Sequence, residues 1–369
     1  MKIRKLYTVL CCMIMMAQTV DAQNMYVADN DGNVNIVNVS AVDYATFENK
    51  WFVFKNDKID NIETRSITAS FSVTLNTGTE VRFLSATPEI GVCFSHSNTI
   101  PTVKDNCKLL GTEFSSYTFT LSSLIPGMTY YYRTYVRLED AVIYGDIAQV
   151  QTLAYKEING HKFIDLGLPS GLLWAETNIG AETAYDNGNY YAWGETSPKQ
   201  IYADSTYTTL GEWEYSAIYE KFALAYNKYN STDGKNKLEN ADDAAYANWG
   251  SSCRMPTKSE WSELTNADNC TWAWVSRTNS AGKTIHCYKV VSNKNNNNII
   301  YLPAAGFSNG NDLDDYGSRG SYWSNELCIY NVNAIYFDFF NGEYYTINDG
   351  YINDGYRYYG RTVRPVAEP

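Results

Sequence analysis

A chain of 369 residues that is 44% apolar and 15% aromatic has enough core-forming material to exclude intrinsic disorder, and at roughly 150 residues per domain it predicts two or three domains. Its formal charge of −12 excludes the basic footprint of a nucleic-acid binder. Tyrosine is the excess residue, with 32 Tyr against 14 Phe and 9 Trp; its apolar ring and polar tip suit surfaces that are both adhesive and hydrated.

The first segment reads as an address. Lys2, Arg4 and Lys5 form a basic start, Leu6 to Met16 a short apolar run, and Val20-Asp21-Ala22 places small residues at the −3 and −1 positions of a cleavage site. A signal peptide over 1–22 is predicted, and with it an exported protein, at the outer surface or extracellular. The run is shorter than the roughly 20 residues a membrane-spanning helix needs, and no later run is apolar enough to be one. Six cysteines follow the leader: Cys93, Cys107, Cys253, Cys270, Cys287 and Cys328. Outside the cytosol disulfides persist, and Cys93 with Cys107, in one module, is the expected pair. No C-x-x-C or H-x-x-x-H spacing occurs, so neither a metal nor another cofactor is expected.

Residues 23–63 read as a small β-unit. Met25-Tyr-Val-Ala and Val34-Asn-Ile-Val-Asn-Val39 flank Asp31-Gly32, a hairpin signal because glycine accepts the positive φ of a type I′ turn. Asp29, Asp31 and Asn33 mimic the start of a calcium loop, but Ser40 stands where its bidentate Glu belongs, so the hairpin is the reading. Residues 64–153 read as a β-sandwich, with strands at Ile67–Leu75, Glu89–Ser95 and Tyr117–Leu121. Pro126-Gly127 then turns the chain into Tyr130-Tyr-Tyr-Arg-Thr-Tyr135, with Tyr130, Tyr132 and Thr134 on one face. The pattern L-x-P-G-x-x-Y-x-x-R-x-Y resembles the fibronectin type III family. That resemblance implies an immunoglobulin-like sandwich, commonly a spacer, in which Tyr130 or Tyr132 is structural.

Residues 156–369 turn to Gly, Asn, Trp and Tyr. Helices are predicted at about Ala241–Asn248 and from Thr257, where Thr257-Lys-Ser-Glu260 is a capping box and Trp261 and Leu264 form the buried stripe. Strands are predicted at Lys162–Leu166, Leu172–Ala175, Cys287–Ser292, Ile299–Pro303, Ala334–Phe340 and Thr362–Val366, which makes an α+β fold with long loops.

Several elements of this block occur in a familiar order. They include Ile164-Asp-Leu-Gly-Leu-Pro-Ser-Gly-Leu-Leu-Trp174, Asn178-Ile-Gly-Ala181, Tyr190-Tyr-Ala-Trp-Gly-Glu-Thr196 and Asp242-Asp-Ala-Ala245. Trp249-Gly250, Arg254-Met-Pro-Thr-Lys-Ser-Glu-Trp261, Leu302-Pro-Ala-Ala-Gly306, Tyr322-Trp-Ser324 and Gly360-Arg-Thr-Val-Arg-Pro-Val366 follow. Together they resemble the Fibrobacter succinogenes major paralogous domain. The R-x-P-T-x-x-E-W element is similar to one in formylglycine-generating enzymes, and this implies a C-type-lectin-like fold. The architecture expected is therefore multidomain: a fibronectin-like β-sandwich, then an α+β lectin-like domain.

The resemblance raises an enzyme reading, which the residues do not favour. The formylglycine-generating oxidases hold copper with two close cysteines in their C-terminal part; here that part has only Cys328. His96, His161 and His286 lie in unrelated contexts, and no G-x-S-x-G elbow occurs. The E-P-N, Q-P-D and W-N-D triplets of calcium-dependent lectins are also missing. Binding is the stronger reading. Ten Tyr fall between Tyr316 and Tyr359, among Asn, Asp, Gly and Ser, a palette that antibody loops use. The residues expected to meet a ligand are Tyr322, Trp323, Asn331, Asn333, Tyr336, Asn341, Tyr344, Tyr345, Asn348, Tyr351, Asn353 and Tyr356, and the expected partner is an extracellular protein or glycan. Trp193 and Glu195 are expected to be structural. Related lectin-like domains are targets of retroelements that mutate adenines, and the Asn- and Tyr-rich stretch from Asn331 to Tyr358 has that character.

Overall fold

The structure is a computed structural model. It describes residues 24–28, 34–38, 52–75, 87–138, 141–216, 221–328, 333–341, 343–344 and 354–369. The expected signal peptide and the turn at 29–33 lie outside the described residues. The chain forms two compact units: 1–124 with 129–152, and 125–128 with 153–369.

Strands dominate both units. In the first, β1 (Asn24–Ala28) and β2 (Val34–Asn38) pair antiparallel with Ala28 opposite Val34, the expected hairpin. β3 (Phe52–Ile62) pairs along its whole length with β4 (Ile67–Leu75). The sandwich thus begins at residue 52, inside the segment read as a separate β-unit. The remaining strands are β5 (Glu89–Ser95), β6 (Asn106–Gly111), β7 (Ser116–Leu121), β8 (Thr129–Leu138), β9 (Ala141–Tyr144) and β10 (Ala148–Gln151). One sheet runs β3-β4-β7. The other runs β10-β8-β5-β6, with β9 on the same edge of β8 as β10.

Period-two alternation sets the faces. In β4, Ile67, Ala69, Phe71 and Val73 are buried and their neighbours are not. Phe119 of β7 meets Tyr132 of β8 edge to face at 5.8 Å, so the two sheets pack across a shared core. Tyr130, Tyr132, Thr134 and Val136 all point into it.

The second unit opens with β11 (Tyr155–Ile158), β12 (His161–Asp165), β13 (Leu173–Ala175) and β14 (Tyr190–Tyr191). Next come β15 (Leu210–Ser216), β16 (Lys221–Tyr226), α1 (Ala244–Trp249), β17 (Cys253–Arg254), α2 (Lys258–Thr265), β18 (Cys270–Thr278), β19 (Thr284–Ser292) and β20 (Ile299–Pro303). The last are β21 (Phe307–Asn309), β22 (Asp312–Asp314), β23 (Arg319–Leu327), β24 (Asn333–Phe340), β25 (Glu343–Tyr344), β26 (Asp354–Tyr356), β27 (Arg361–Thr362) and β28 (Val366–Ala367). The central sheet runs β14-β27-β23-β24-β25, and β26 also pairs with β24. A second sheet runs β11-β12-β13-β28-β17, and β18-β19-β20 form a meander.

The central sheet divides two hydrophobic layers. Trp323 and Tyr336 point into one with Trp193, Trp249 and Tyr191. Tyr322, Phe337 and Phe339 point into the other with Trp174 and Trp261. Both predicted helices form. α2 carries the capping box: Thr257 accepts from the Glu260 amide at 3.2 Å, and Glu260 accepts from the Thr257 amide at 2.8 Å. α1 begins later than expected, behind Asp243, whose carboxylate accepts from the Ala245 and Tyr246 amides. No helix among the described residues is long and apolar enough to cross a membrane.

Candidate functional site

The Tyr-rich stretch builds one edge of the central sheet. β24 pairs on one side with β23; on the other it meets β25, with Phe339 opposite Tyr344, and β26, with Asn333 opposite Tyr356. The residues expected to meet a ligand separate into three groups. Tyr322 and Trp323 are 0% exposed and Tyr336 is 7% exposed, so these three side chains belong to the core and offer a ligand no surface. The reason is that both faces of β23 and β24 are covered, so neighbouring side chains that point opposite ways are buried alike. Asn333 is half-buried, while Asn341, Tyr356 and the backbone position of Tyr344 lie along the outer edge. Asn331, Tyr345, Asn348, Tyr351 and Asn353 lie outside the described residues.

What the structure adds is an aromatic ledge. Tyr356 is 46% exposed and stacks on Tyr358 at 5.2 Å with the rings 9° apart. Tyr359 stands edge-on to both, at 5.6 and 5.1 Å, and touches Phe307 of β21 at 5.6 Å. The ledge is anchored from behind. Ser308 and Gly360 exchange backbone hydrogen bonds of 2.7 and 2.9 Å, which tie the β21–β22 hairpin to the segment carrying the tyrosines. Tyr358 also packs on a buried cluster of Ala192, Tyr202, Tyr207 and Tyr226.

Below the ledge lies Arg361, 2% exposed. Its guanidinium carbon sits 3.8 Å from the ring centre of Tyr336, 4.6 Å from Trp323, 5.3 Å from Phe307 and 5.5 Å from Tyr359. Four rings therefore supply the electrostatic partner that hydrogen bonds supply elsewhere, each contributing roughly 0.5–2 kcal/mol. On the same side of the sheet, Arg319 grips Asp338 with two bonds of 2.8 Å and lies 5.2 Å from the Phe307 ring. Phe307 is thus placed beside two guanidinium groups. Sequence reading did not select Phe307, Tyr358, Tyr359 or Arg361; the only signal was the run Tyr356-Arg-Tyr-Tyr-Gly-Arg361.

The ledge is suited to binding by its protonation state. Burial, and then the neighbouring Tyr359, Tyr356 and Asp204, push the Tyr358 hydroxyl well above its usual value. Burial also raises that of Tyr359. Both remain neutral donors across the physiological range. Trp193 and Glu195 are placed as frame. The Trp193 indole donates to the Ser324 carbonyl at 2.9 Å, and Glu195 accepts from the Thr208 amide at 2.9 Å and pairs with Lys199.

The cysteines are free thiols in the structure. Cys253, Cys270 and Cys287 are buried, and burial pushes their thiols up to about 11, 12 and 11. Cys328 is also buried. Cys93 and Cys107 lie opposite one another on β5 and β6. Among the described residues no cluster of three metal-ligating side chains occurs.

The fold and ledge place the chain in a broad class: a multi-sheet, mostly β protein in which a two-sheet sandwich and a loop-rich second unit share one chain. No family model matches it, and no curated protein matches it. Among solved structures it is similar to the short form of the sensor domain of the anti-sigma factor RsgI4 from Pseudobacteroides cellulosolvens. That likeness has 16% identity and a TM-score of 0.23, and covers 29% of this chain and 98% of that one. It is also similar to a fibronectin type III domain of the human KIAA0970 protein, with 15% identity, a TM-score of 0.19, and 27% and 72% of the two chains covered.

Proposed function

We propose that the chain is an exported recognition protein. In this reading a fibronectin type III-like spacer is followed by a C-type-lectin-like head of the Fibrobacter major paralogous type, which binds an extracellular protein or glycan at the Tyr-rich edge. The observation that carries the reading is the ledge. Tyr356 is exposed on an ordered stack of tyrosines, whereas Tyr322 and Tyr336 of the same stretch are core. Large exposed aromatic surface on a fixed support is typical of binding faces. The formylglycine-generating rival calls for two close cysteines in the C-terminal part, where the sequence has only Cys328; copper binding lost in Cys328→Ser would favour it.

The test is a glycan and protein array probed with the full chain. Tyr356→Ala is expected to weaken binding of any captured ligand by about tenfold, on the order of one aromatic contact. A chelator is expected to leave binding unchanged, since the described residues of the edge offer rings and hydroxyls and no group of three metal-ligating side chains. Wild-type affinity in Tyr356→Ala, or loss of binding to the chelator, overturns the reading.

A further inference from the structure

The outward face of the sheet β10-β8-β5-β6 carries a built thiol pair. Cys93 on β5 stands opposite Arg133 of β8 on one side and Cys107 of β6 on the other. Opposed residues of antiparallel strands share a face, with Cβ atoms about 4.5–5.5 Å apart. A disulfide needs about 3.5–4.5 Å, a small closure. β6 is the last strand of its sheet, paired there with β5 alone. Three other cysteines face different residues across their strands: Cys270 faces Ser292, Cys287 faces Val275 and Pro303, and Cys253 faces Ala367.

The two thiols differ in access. Cys93 is 0% exposed, with its sulfur 3.4 Å from the Pro101 carbonyl and 3.5 Å from the Arg133 carbonyl. The loop above it is ordered. Asp105 accepts from the Thr102 amide at 2.8 Å and the Asn98 amide group at 3.1 Å, and Arg133 reaches the Pro101 carbonyl from below. Cys107 is exposed and makes only long contacts, 3.6 Å to the Asp105 carbonyl and 3.9 Å to that of Thr102.

We infer that Cys93 and Cys107 form a cross-strand disulfide by an ordered exchange with a disulfide oxidant, entered at Cys107 and completed by Cys93. The Cys107 thiolate attacks one sulfur of the oxidant, forming a mixed disulfide and releasing one thiolate. Cys93 then loses its proton and attacks the Cys107 sulfur, which expels the second thiolate; the two released thiolates take up the two protons. The protein is oxidised by two electrons and the oxidant is reduced by two. The order follows from access: Cys93 is buried beneath its loop, whereas Cys107 is exposed and faces it across the strand pair. Burial raises both thiols, that of Cys93 to about 11, so access decides which attacks first. The bond would staple an edge strand and the loop that covers it.

The experiment treats the folded, reduced full chain with oxidised glutathione, quenches it with acid, and maps peptides after tryptic digestion without reductant. Lys104 separates the two cysteines, so only a disulfide joins their peptides. Wild type is expected to yield the 93–107 cross-linked peptide and no stable adduct. Cys93→Ser is expected to accumulate one glutathione on Cys107, and Cys107→Ser to leave Cys93 unmodified. Free thiols at both positions in oxidised wild type, a cross-link to another cysteine, or glutathione uptake at Cys93 in Cys107→Ser at the wild-type rate overturns the inference. The wild-type map stands even if a variant fails to fold.

Discussion

Three arginines near the C-terminus, Arg357, Arg361 and Arg364, are all but inaccessible, yet arginine is among the residues least often fully buried. Each is accommodated in its own way. Arg364 spends its donors on oxygens: Nε on Asn178 Oδ1 at 2.8 Å, Nη1 on the Ala175 and Glu176 carbonyls at 2.9 and 3.0 Å, and Nη2 on the Tyr301 carbonyl at 2.7 Å. Burial pulls its pKa down to about 10, so it remains a cation at neutral pH. Arg357 donates to the Lys228 carbonyl at 3.1 Å and to that of Tyr229 at 2.5 Å, and it lies over the Tyr226 ring, whereas Arg361 relies on rings. Arg364→Lys keeps the charge but cannot reach four oxygens in a plane. It is expected to cost about 3 kcal/mol or more of stability in urea titration; a loss below about 1 kcal/mol would count against a structural role for this residue. The sequence showed the Gly360-Arg-Thr-Val-Arg-Pro-Val366 element but not the burial of its arginines, because burial depends on carbonyls and rings that other elements bring against them.

At the scale of elements, legibility followed locality. α2 was readable because its signals are its own: the Thr257–Glu260 box and the 261/264 stripe. Tertiary structure then uses the same side chains twice. Arg254 binds Glu260 with two bonds of 2.8 and 2.6 Å, and Glu263 captures the Ser170 amide and hydroxyl at 2.8 and 2.6 Å, which holds the Leu-Gly-Leu-Pro-Ser-Gly loop onto the helix. Burial raises the Glu260 pKa, but the Arg254 fork and the Thr257 amide outweigh it and leave the carboxyl below its usual value. A lowered folded-state pKa stabilises above the unfolded value of about 4.3, and that contribution is lost as pH falls through the folded value. Glu260→Gln is therefore expected to be less stable than wild type at neutral pH and to show a shallower acid limb below about pH 5. Equal slopes in melts across pH 3–6 would remove the fork from the account. β18 and β23 were not foreseen. β23 is buried on both faces and mixes Gly320, Ser321, Ser324 and Asn325 with aromatics, so it has no alternating pattern. Gly320 is required there, since a Cβ would meet the Phe339 ring at 2.0 Å.

For the whole molecule, two separate cores imply two separable stabilities. Calorimetry of the full chain is expected to resolve two transitions. Phe71→Ala empties the sandwich core and should shift only one of them. Trp261→Ala removes a ring held 4.7 Å from Trp174 and 4.6 Å from Phe337 and should shift only the other, each variant costing about 3–5 kcal/mol. A single transition moved by both variants would show one cooperative unit instead. By itself the sequence determined what short-range chemistry writes: acidity, the β-rich composition, the hairpin and capping signals, the strands with a clear apolar run or alternation, and the location of the tyrosine excess near the C-terminus. Only the tertiary structure decided which of those tyrosines are core and which form a surface. The central strand that buries Tyr322 and Trp323 and the edge strand that exposes Tyr356 are both rich in Tyr and small polar residues, and what separates them is the sheets, hairpin and buried arginine brought against them.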